Sequence, residues 1–253
     1  MKLKKTRIET ENAPPSTGFR SQGLIAGGVL FTGGQIGAAM PSPGVLREPC
    51  DDMAEAVQVT LAHLEQVTLA AGCQKEDVFE VSAFPRLGDQ KGVIENSTQQ
   101  FLGFKPTLFN YLEVSDTAAH ALIEMDWMAV AGSDLDVKTG AMWLNPLGHG
   151  EKNVRIESGP FNLWNKLAGQ GDNLAEASEN LLNDISDRLK AQGGSFDNLV
   201  KLTVYIKEFD AYPQFNEATK SAFADIIPPT RSVLVAPSIT GDAHLCMDVV
   251  ALR

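Results

Sequence analysis

Apolar residues recur at helical spacing in two stretches of this chain, and the two stretches match. In the first, Met53, Val57, Leu61 and Leu64 fall on one helix face. Asp52 with Glu55 three residues later makes a candidate capping box, and Gly72 supplies a C-terminal stop. In the second, Leu174, Ser178, Leu181, Ile185 and Leu189 line one face, Asn173 with Glu176 repeats the box, and Gly193 ends the helix. Asp52 and Asn173, Glu55 and Glu176, and Gly72 and Gly193 are each 121 positions apart. A constant register of that kind predicts a duplicated unit.

Alternating patterns fill the intervals. Thr6 to Glu9 and Val29 to Thr32 read as two short strands within the first forty residues, the second ending at Gly33-Gly34-Gln35, and Val78 to Phe84 reads as another. In the second half Lys201, Thr203, Tyr205 and Lys207 alternate with Leu202, Val204 and Ile206, so one strand face is polar and the other apolar. Such a sheet packs its helices on one side. Glu80-Val81-Ser82-Ala83-Phe84 lies on Lys201-Leu202-Thr203-Val204-Tyr205, Lys105-Pro106-Thr107-Leu108 on Pro228-Pro229-Thr230-Arg231, and Ile123-Glu124-Met125-Asp126 on Leu245-Cys246-Met247-Asp248. The fold class expected is a tandem α+β repeat. Its domains span residues 1–131 and 154–253. The connecting segment is 132–153, where Gly132, Gly140, Asn145, Pro146, Gly148 and Gly150 interrupt periodicity. Trp143 and Leu144 suggest that this segment lies across the domains.

Charge narrows the partners. The net charge of −11 argues against nucleic acid, because phosphate binding needs clustered Lys and Arg, and the only basic run is Lys2, Lys4 and Lys5. Apolar runs are far shorter than a membrane helix requires, and no apolar core follows the N-terminal lysines, so a soluble chain without a secretion signal is expected. Cys50, Cys73 and Cys246 form no CxxC and are odd in number, which fits a reducing, cytoplasmic setting better than a disulfide framework or zinc site. His63, His120, His149 and His244 show no metal-ligand spacing, and Gly33-Gly34 lacks a dinucleotide-loop context. No metal and no cofactor are expected.

The chemistry converges on Pro228-Pro229-Thr230-Arg231-Ser232-Val233. The prolines fix an extended entry, Val233 to Val235 read as a short buried strand, and the lone guanidinium between them suits bidentate capture of a carboxylate. A structural surface ion pair is the alternative for Arg231. Cys246 shares a strand face with His244 and Asp248, so it reads either as an activated nucleophile or as a small buried thiol. Glu124 and Asp126 read either as paired carboxylates for acid/base work or as a polar interface row.

Ile8-Glu9-Thr10-Glu11-Asn12-Ala13-Pro14, Leu30-Phe31-Thr32-Gly33-Gly34-Gln35-Ile36, the Gly-terminated helix and the late Pro-Pro-Thr-Arg-Ser run resemble, in the same order, the motifs of the reactive intermediate deaminase (Rid, or YjgF) family. The resemblance covers nearly the whole chain, twice over. It implies a mixed sheet with two helices on one face in each domain, assembled as a trimer of domains around a barrel. It also implies sites in the clefts between domains, where an arginine grips the carboxylate of a 2-imino or 2-enamino acid and a glutamate helps position the hydrolytic water. Carried over, the carboxylate-binding arginine is Arg231, a site asparagine is Asn216 and the glutamate is Glu124. The remaining positions depart from the family pattern. Its glutamate in the second half falls on Cys246, its tyrosine on Phe161 and Arg20, its serine on Ala168 and Gly33, and its arginine in the first half on Leu108. The second repeat also has a shorter run from Arg155 to Gly169 than the first has from Arg7 to Gly34, which implies a trimmed hairpin.

Three functions follow as expectations. The first is a hydrolase that acts on a small carboxylate-bearing imine or enamine, releasing a keto compound and ammonia, with Glu124 and Cys246 as catalytic candidates. The others are a non-catalytic ligand-binding homologue and a Cys246-dependent hydrolase of an amide-like or cyclic metabolite. Acidic charge disfavours the ribonuclease role attached to some relatives. A homotrimer is expected, and a cleft between unlike repeats would bring Arg231 toward Glu124 or Arg20.

Overall fold

The computed structural model describes residues 4–16, 18–40, 48–86, 88–132, 161–236, 238–239 and 242–253. All of the expected connecting segment after Gly132, and residues 154–160 of the expected second domain, lie outside the described residues. The first unit runs β1 (Lys5–Ile8), β2 (Gly23–Ala26), β3 (Val29–Thr32), β4 (Gln35–Ile36), α1 (Met53–Ala70), β5 (Val78–Pro85), α2 (Lys91–Leu102), β6 (Leu108–Tyr111) and β7 (Ile123–Val130). The second runs β8 (Phe161–Gly169), α3 (Leu174–Ala191), β9 (Leu199–Ile206), α4 (Tyr212–Phe223), β10 (Thr230–Val235) and β11 (Leu245–Leu252). The first sheet is ordered β1-β2-β3-β7-β5-β6, with β4 also on β7, and the second β10-β9-β11-β8. In both, one pair is parallel, β5 with β6 and β9 with β10. This is an α+β fold built twice.

The repeat persists through the elements. The starts of α1 and α3, of α2 and α4, and of β5 and β9 are each 121 positions apart, and those of β7 and β11 are 122 apart. Asp52 accepts a hydrogen bond from the Glu55 amide at 2.9 Å, and Asn173 one from the Glu176 amide at 3.0 Å. Gly72 and Gly193 follow their helices at φ of 76° and 75°, where a side chain would be strained. The first forty residues hold four strands rather than two. Gly27 and Gly28, both at positive φ, make the tight turn that joins β2 to β3, and Gln35 and Ile36 add a short pairing with β7.

The helices cover one face of each sheet, and the other two faces cover each other. At one end of this junction Leu24, Phe31 and Met128 of the first unit pack with Phe161, Val200 and Val250 of the second. At the other end Phe84 and Val114 pack with Tyr205, Leu234 and Cys246. Between them lies a polar layer. Lys201 pairs with Asp126, Ser232 donates to Asp126 at 2.7 Å, and Asn110 donates to Glu80 at 2.9 Å. The polar face of β9 therefore meets the first unit, and Lys201 is only 2% exposed. Buried charge of this kind persists where it is paired and hydrogen-bonded.

The outer edge of β10 is closed by the first unit. Ser21 N–H donates to Pro229 O at 3.1 Å and Gly34 N–H to Arg231 O at 3.1 Å; Ser115 N–H donates to Val235 O at 2.7 Å, and Val235 N–H to Asp116 O at 2.9 Å. An edge whose amides and carbonyls would otherwise be unpaired becomes part of the junction.

Candidate functional site

Arg231 is the second residue of β10, and the two-residue period sets it on the same side as Val233 and Val235, beneath α4. It is wholly buried. Its Nη2 donates to the Tyr212 hydroxyl at 2.7 Å and to Asn216 Oδ1 at 2.8 Å, both from α4. Tyr212 and Asn216 are one helical turn apart, so both reach the same nitrogen. The guanidinium carbon lies 5.2 Å from the centre of the Phe215 ring and 5.5 Å from that of Tyr212. Nε and Nη1 are buried without a hydrogen-bond partner. Burial, and then the like charge of Arg20, lower its pKa, while Tyr212 and Glu124 oppose that shift. The guanidinium stays charged at any physiological pH.

Glu124 comes from the other unit. It sits on β7 opposite Ile36, 2% exposed, with Oε1 unpartnered. Burial pushes its carboxyl up to about 7, with Asp126 adding to the shift and Arg20 and Ser232 opposing it. The turn beside it is fixed by close approach. A Cβ on Gly34 would stand 1.8 Å from Glu124 Oε1 and 2.8 Å from Ser232 Oγ, so a side chain there would have to displace the Glu124 carboxyl. Gly33 is similarly tight, its missing Cβ 2.9 Å from Ser21 O.

A second loop of the first unit reaches Arg231 itself. Gly18, at φ 72°, is close enough that a Cβ would meet Asn216 Oδ1 at 3.0 Å and Arg231 Nη2 at 3.2 Å. Arg20 follows two residues later, half-buried, with Nε buried and unpartnered, and its charge acts on both Glu124 and Arg231. Arg231, Asn216, Arg20, Gly33 and Glu124 thus meet where the unlike units join. Tyr212, Ser232, Gly18 and Gly34 belong with them and were not among the candidates. Ser232 and Gly34 stand beside Arg231 and Gly33 in the motifs named above, and Tyr212 carries a signal in its spacing of one turn from Asn216.

Cys246, Phe161 and Ala168 lie elsewhere. Cys246 is opposite Tyr205 and Ala168, with β9 lying between its strand and β10, and it sits in the apolar cluster at the end of the junction. His244 precedes that strand and donates its amide to Gly169 O at 3.1 Å. Phe161 packs edge-on against Phe31 at 5.4 Å. Ala168 is exposed.

The sheet register also corrects three correspondences between the halves. Arg231 is opposite Leu202 as Phe109 is opposite Val81, so Phe109 rather than Leu108 occupies the arginine position. Phe161 is opposite Leu252 as Val29 is opposite Val130, which places it on the strand and not at the position of Arg20. Ala168 is opposite Cys246 as Ile36 is opposite Glu124, so it does not match Gly33. A cavity of about 480 Å³ lined by Asp51, Asp52, Met53, Arg86, Gly88, Gln90 and Leu122 contains none of these residues.

Among the described residues no helix is long and apolar enough to cross a membrane. No curated protein matches the chain. Residues 153–253 match the family model Ribonuc_L-PSP, described as endoribonuclease L-PSP. Similar solved structures each cover about half of this chain. E. coli TdcF with bound serine is 22% identical over 50% of this chain and 99% of its own, at a TM-score of 0.46. YyfA of Yersinia pestis, described as of the conserved Rid protein family, is 28% identical over 50% and 99%, at 0.45. Yeast Mmf1 is 16% identical over 51% and 100%, at 0.46. The second unit of this chain, residues 153–253, belongs to the RidA/YjgF family, that of the endoribonuclease L-PSP model, and the first unit repeats its α+β fold.

Proposed function

We propose that the junction around Arg231 binds a small carboxylate-bearing imine or enamine and hydrolyses its C–N bond to a keto compound and ammonia. One observation carries this reading: a wholly buried arginine with two unpartnered nitrogens stands in the electrostatic reach of a buried glutamate from the other unit whose Oε1 is unpartnered. Nε and Nη1 form the fork that takes a carboxylate in two parallel hydrogen bonds. The enamine first tautomerises to the imine, carbon gaining a proton as nitrogen gives one up. Water then adds to the imine carbon, its oxygen forming the C–O bond while the C=N electron pair moves to nitrogen. Glu124 accepts the water proton and returns it to that nitrogen. The carbinolamine then collapses: Glu124 carries the hydroxyl proton to the nitrogen, the C–O bond becomes C=O as the C–N bond breaks, and ammonia departs. A carboxyl with pKa about 7 holds both protonation states near neutral pH, as this exchange requires.

The test is pyruvate release from freshly generated 2-aminoacrylate, measured against the uncatalysed rate. Acceleration that Glu124→Gln removes supports hydrolysis. Carboxylate binding without acceleration across a range of side chains leaves only a binding site and sinks the hydrolase. Arg231→Ala should weaken carboxylate binding by about 2–5 kcal/mol, the usual cost of truncating a buried hydrogen-bonded charge pair. A change of a few tenths would reduce Arg231 to a structural residue.

Residues 1–131 and 154–253 are the two domains of this proposal, joined by 132–153, and the assembly is a homotrimer of six domains. The contact within the chain supports a ring. Loops of the first unit dock on the β10 edge of the second, whereas the equivalent β6 edge has no such cover among the described residues. Head-to-tail contacts of that type close into cyclic assemblies. A monomer mass by light scattering would exclude the trimer.

A further inference from the structure

The junction holds a second cation that a single carboxylate does not use. Gly18 brings its loop against Asn216 and Arg231, so Arg20 enters the same junction from the first unit while Arg231 enters from the second. Both guanidiniums have buried nitrogens without partners, Nε of Arg20 and Nε and Nη1 of Arg231. The acids that could neutralise them are engaged elsewhere. Glu9 pairs with Arg7 at 2.7 Å, and Asp126 pairs with Lys201 and accepts from Ser232. Among the described residues Glu124 is the remaining acid, and its Oε1 is unpartnered. Two cations from different units facing one carboxyl leave an excess of positive charge, inside a chain whose net charge is −11. Like charges brought together out of water are costly unless a ligand balances them.

We propose that Arg20 and Arg231 together select a substrate with two carboxylates, a short 2-imino dicarboxylic acid or its enamine, the carboxylate next to the imine on Arg231 and the distal one on Arg20. This rests on the reading of Arg231 given above and adds to it the class of side chain. Arg20 is here a specificity residue. It grips the end of the substrate remote from the reacting carbon, and the planar fork of arginine suits it to that second carboxylate. A substrate with an apolar side chain would leave Arg20 buried against hydrocarbon and unpaired, which disfavours it.

The experiment measures binding of keto acids that differ only in the second carboxylate, by calorimetry on the full chain: 2-oxoglutarate against 2-oxopentanoate, and oxaloacetate against 2-oxobutyrate. The dicarboxylate of each pair should bind about tenfold more tightly, equivalent to about 1.4 kcal/mol. Arg20→Gln should bring the members of each pair to within about twofold, and Arg20→Lys, which keeps the charge, should retain part of the advantage. Arg231→Ala should weaken both members. A wild-type protein that binds monocarboxylates as tightly as dicarboxylates overturns this proposal and spares the carboxylate site. A dicarboxylate advantage that survives in a folded Arg20→Gln protein overturns it too. Binding of neither class defeats both readings together.

Discussion

The same corner of the two units has been built from different chemistry. In the second, Arg231 lies beneath Tyr212 and Asn216 of α4. In the first, the equivalent residues are Phe109 on β6 and Lys91 and Glu95 on α2. Phe109 joins the hydrophobic core, and Lys91 and Glu95 form an exposed pair at 3.8 Å. The terminal strands differ in the opposite sense, Glu124 in the first unit and Cys246 in the second. One unit keeps the cation and the other the carboxyl, so only a junction of unlike units contains both. The polar layer follows the same rule. Glu80 and Lys201 are equivalent positions, and it is Lys201 that reaches across to Asp126.

Making the units alike at that position should have the largest effect. Lys201→Glu puts a carboxylate where Asp126 now has its cation, and breaking a buried pair costs about 3–5 kcal/mol. Denaturant titration should show that loss. A change under about 1 kcal/mol would mean that the paired charges do not hold the units together.

Next comes the turn that lets Glu124 approach β10. Gly34→Ala inserts a methyl group 1.8 Å from Glu124 Oε1, and overpacking of this kind costs typically about 1–3 kcal/mol. Carboxylate turnover should fall in the variant even where the protein still folds, and unchanged turnover would separate Glu124 from the site.

Protons probe the same contrast with a smaller effect. Glu124 and Asp248 have pKa values pushed up to about 7, and Glu80 to about 8, each chiefly by burial. Between the ordinary carboxylate range and these values the folded chain holds protons that the unfolded chain has released, so stability falls as pH rises through that window and levels off above about 8. The decline should be shallower in Glu124→Gln. A stability that rose over the same interval would contradict the raised values.

The smallest effect belongs to the first unit's version of the corner. Glu95→Ala removes one partner of an exposed i,i+4 pair, and stability should change by about 0.5 kcal/mol or less with no effect on ligand binding. Asn216→Ala, its counterpart, should weaken carboxylate binding. Equal effects of the two substitutions would erase the distinction between the units.

Much of the fold was legible because capping and helical spacing are local. Asp52 and Asn173 announce α1 and α3, and their shared register announces the repeat. The shorter helices were harder to find. The buried stripes of α2 and α4 are Ile94, Thr98, Leu102 and Phe215, Thr219, Phe223, and a threonine at the centre of each hides the apolar period. Site residues were legible where one residue type suffices, as with Arg231 after two prolines. They were not where the answer depended on strand register. A slip of one residue moves a side chain to the other face of a sheet, which is why Leu108 stood in for Phe109. Arg20, Gly34 and Ser232 gain their setting only when the two units meet, and no local pattern contains that meeting.

The hydrogen bonds that close the β10 edge join residues of one polypeptide. Assembly of the Arg231–Glu124 site is therefore a first-order event, governed by the effective concentration that the covalent connection imposes, of order millimolar for short links, and not by how much protein is present. Dilution that would dissolve a site shared between separate molecules leaves this one intact. Two units on one chain can also change independently. A substitution at position 20 alters one kind of site once, where in an assembly of identical domains it would be repeated in every cleft. The tether thus frees the two faces of a shared site to specialise.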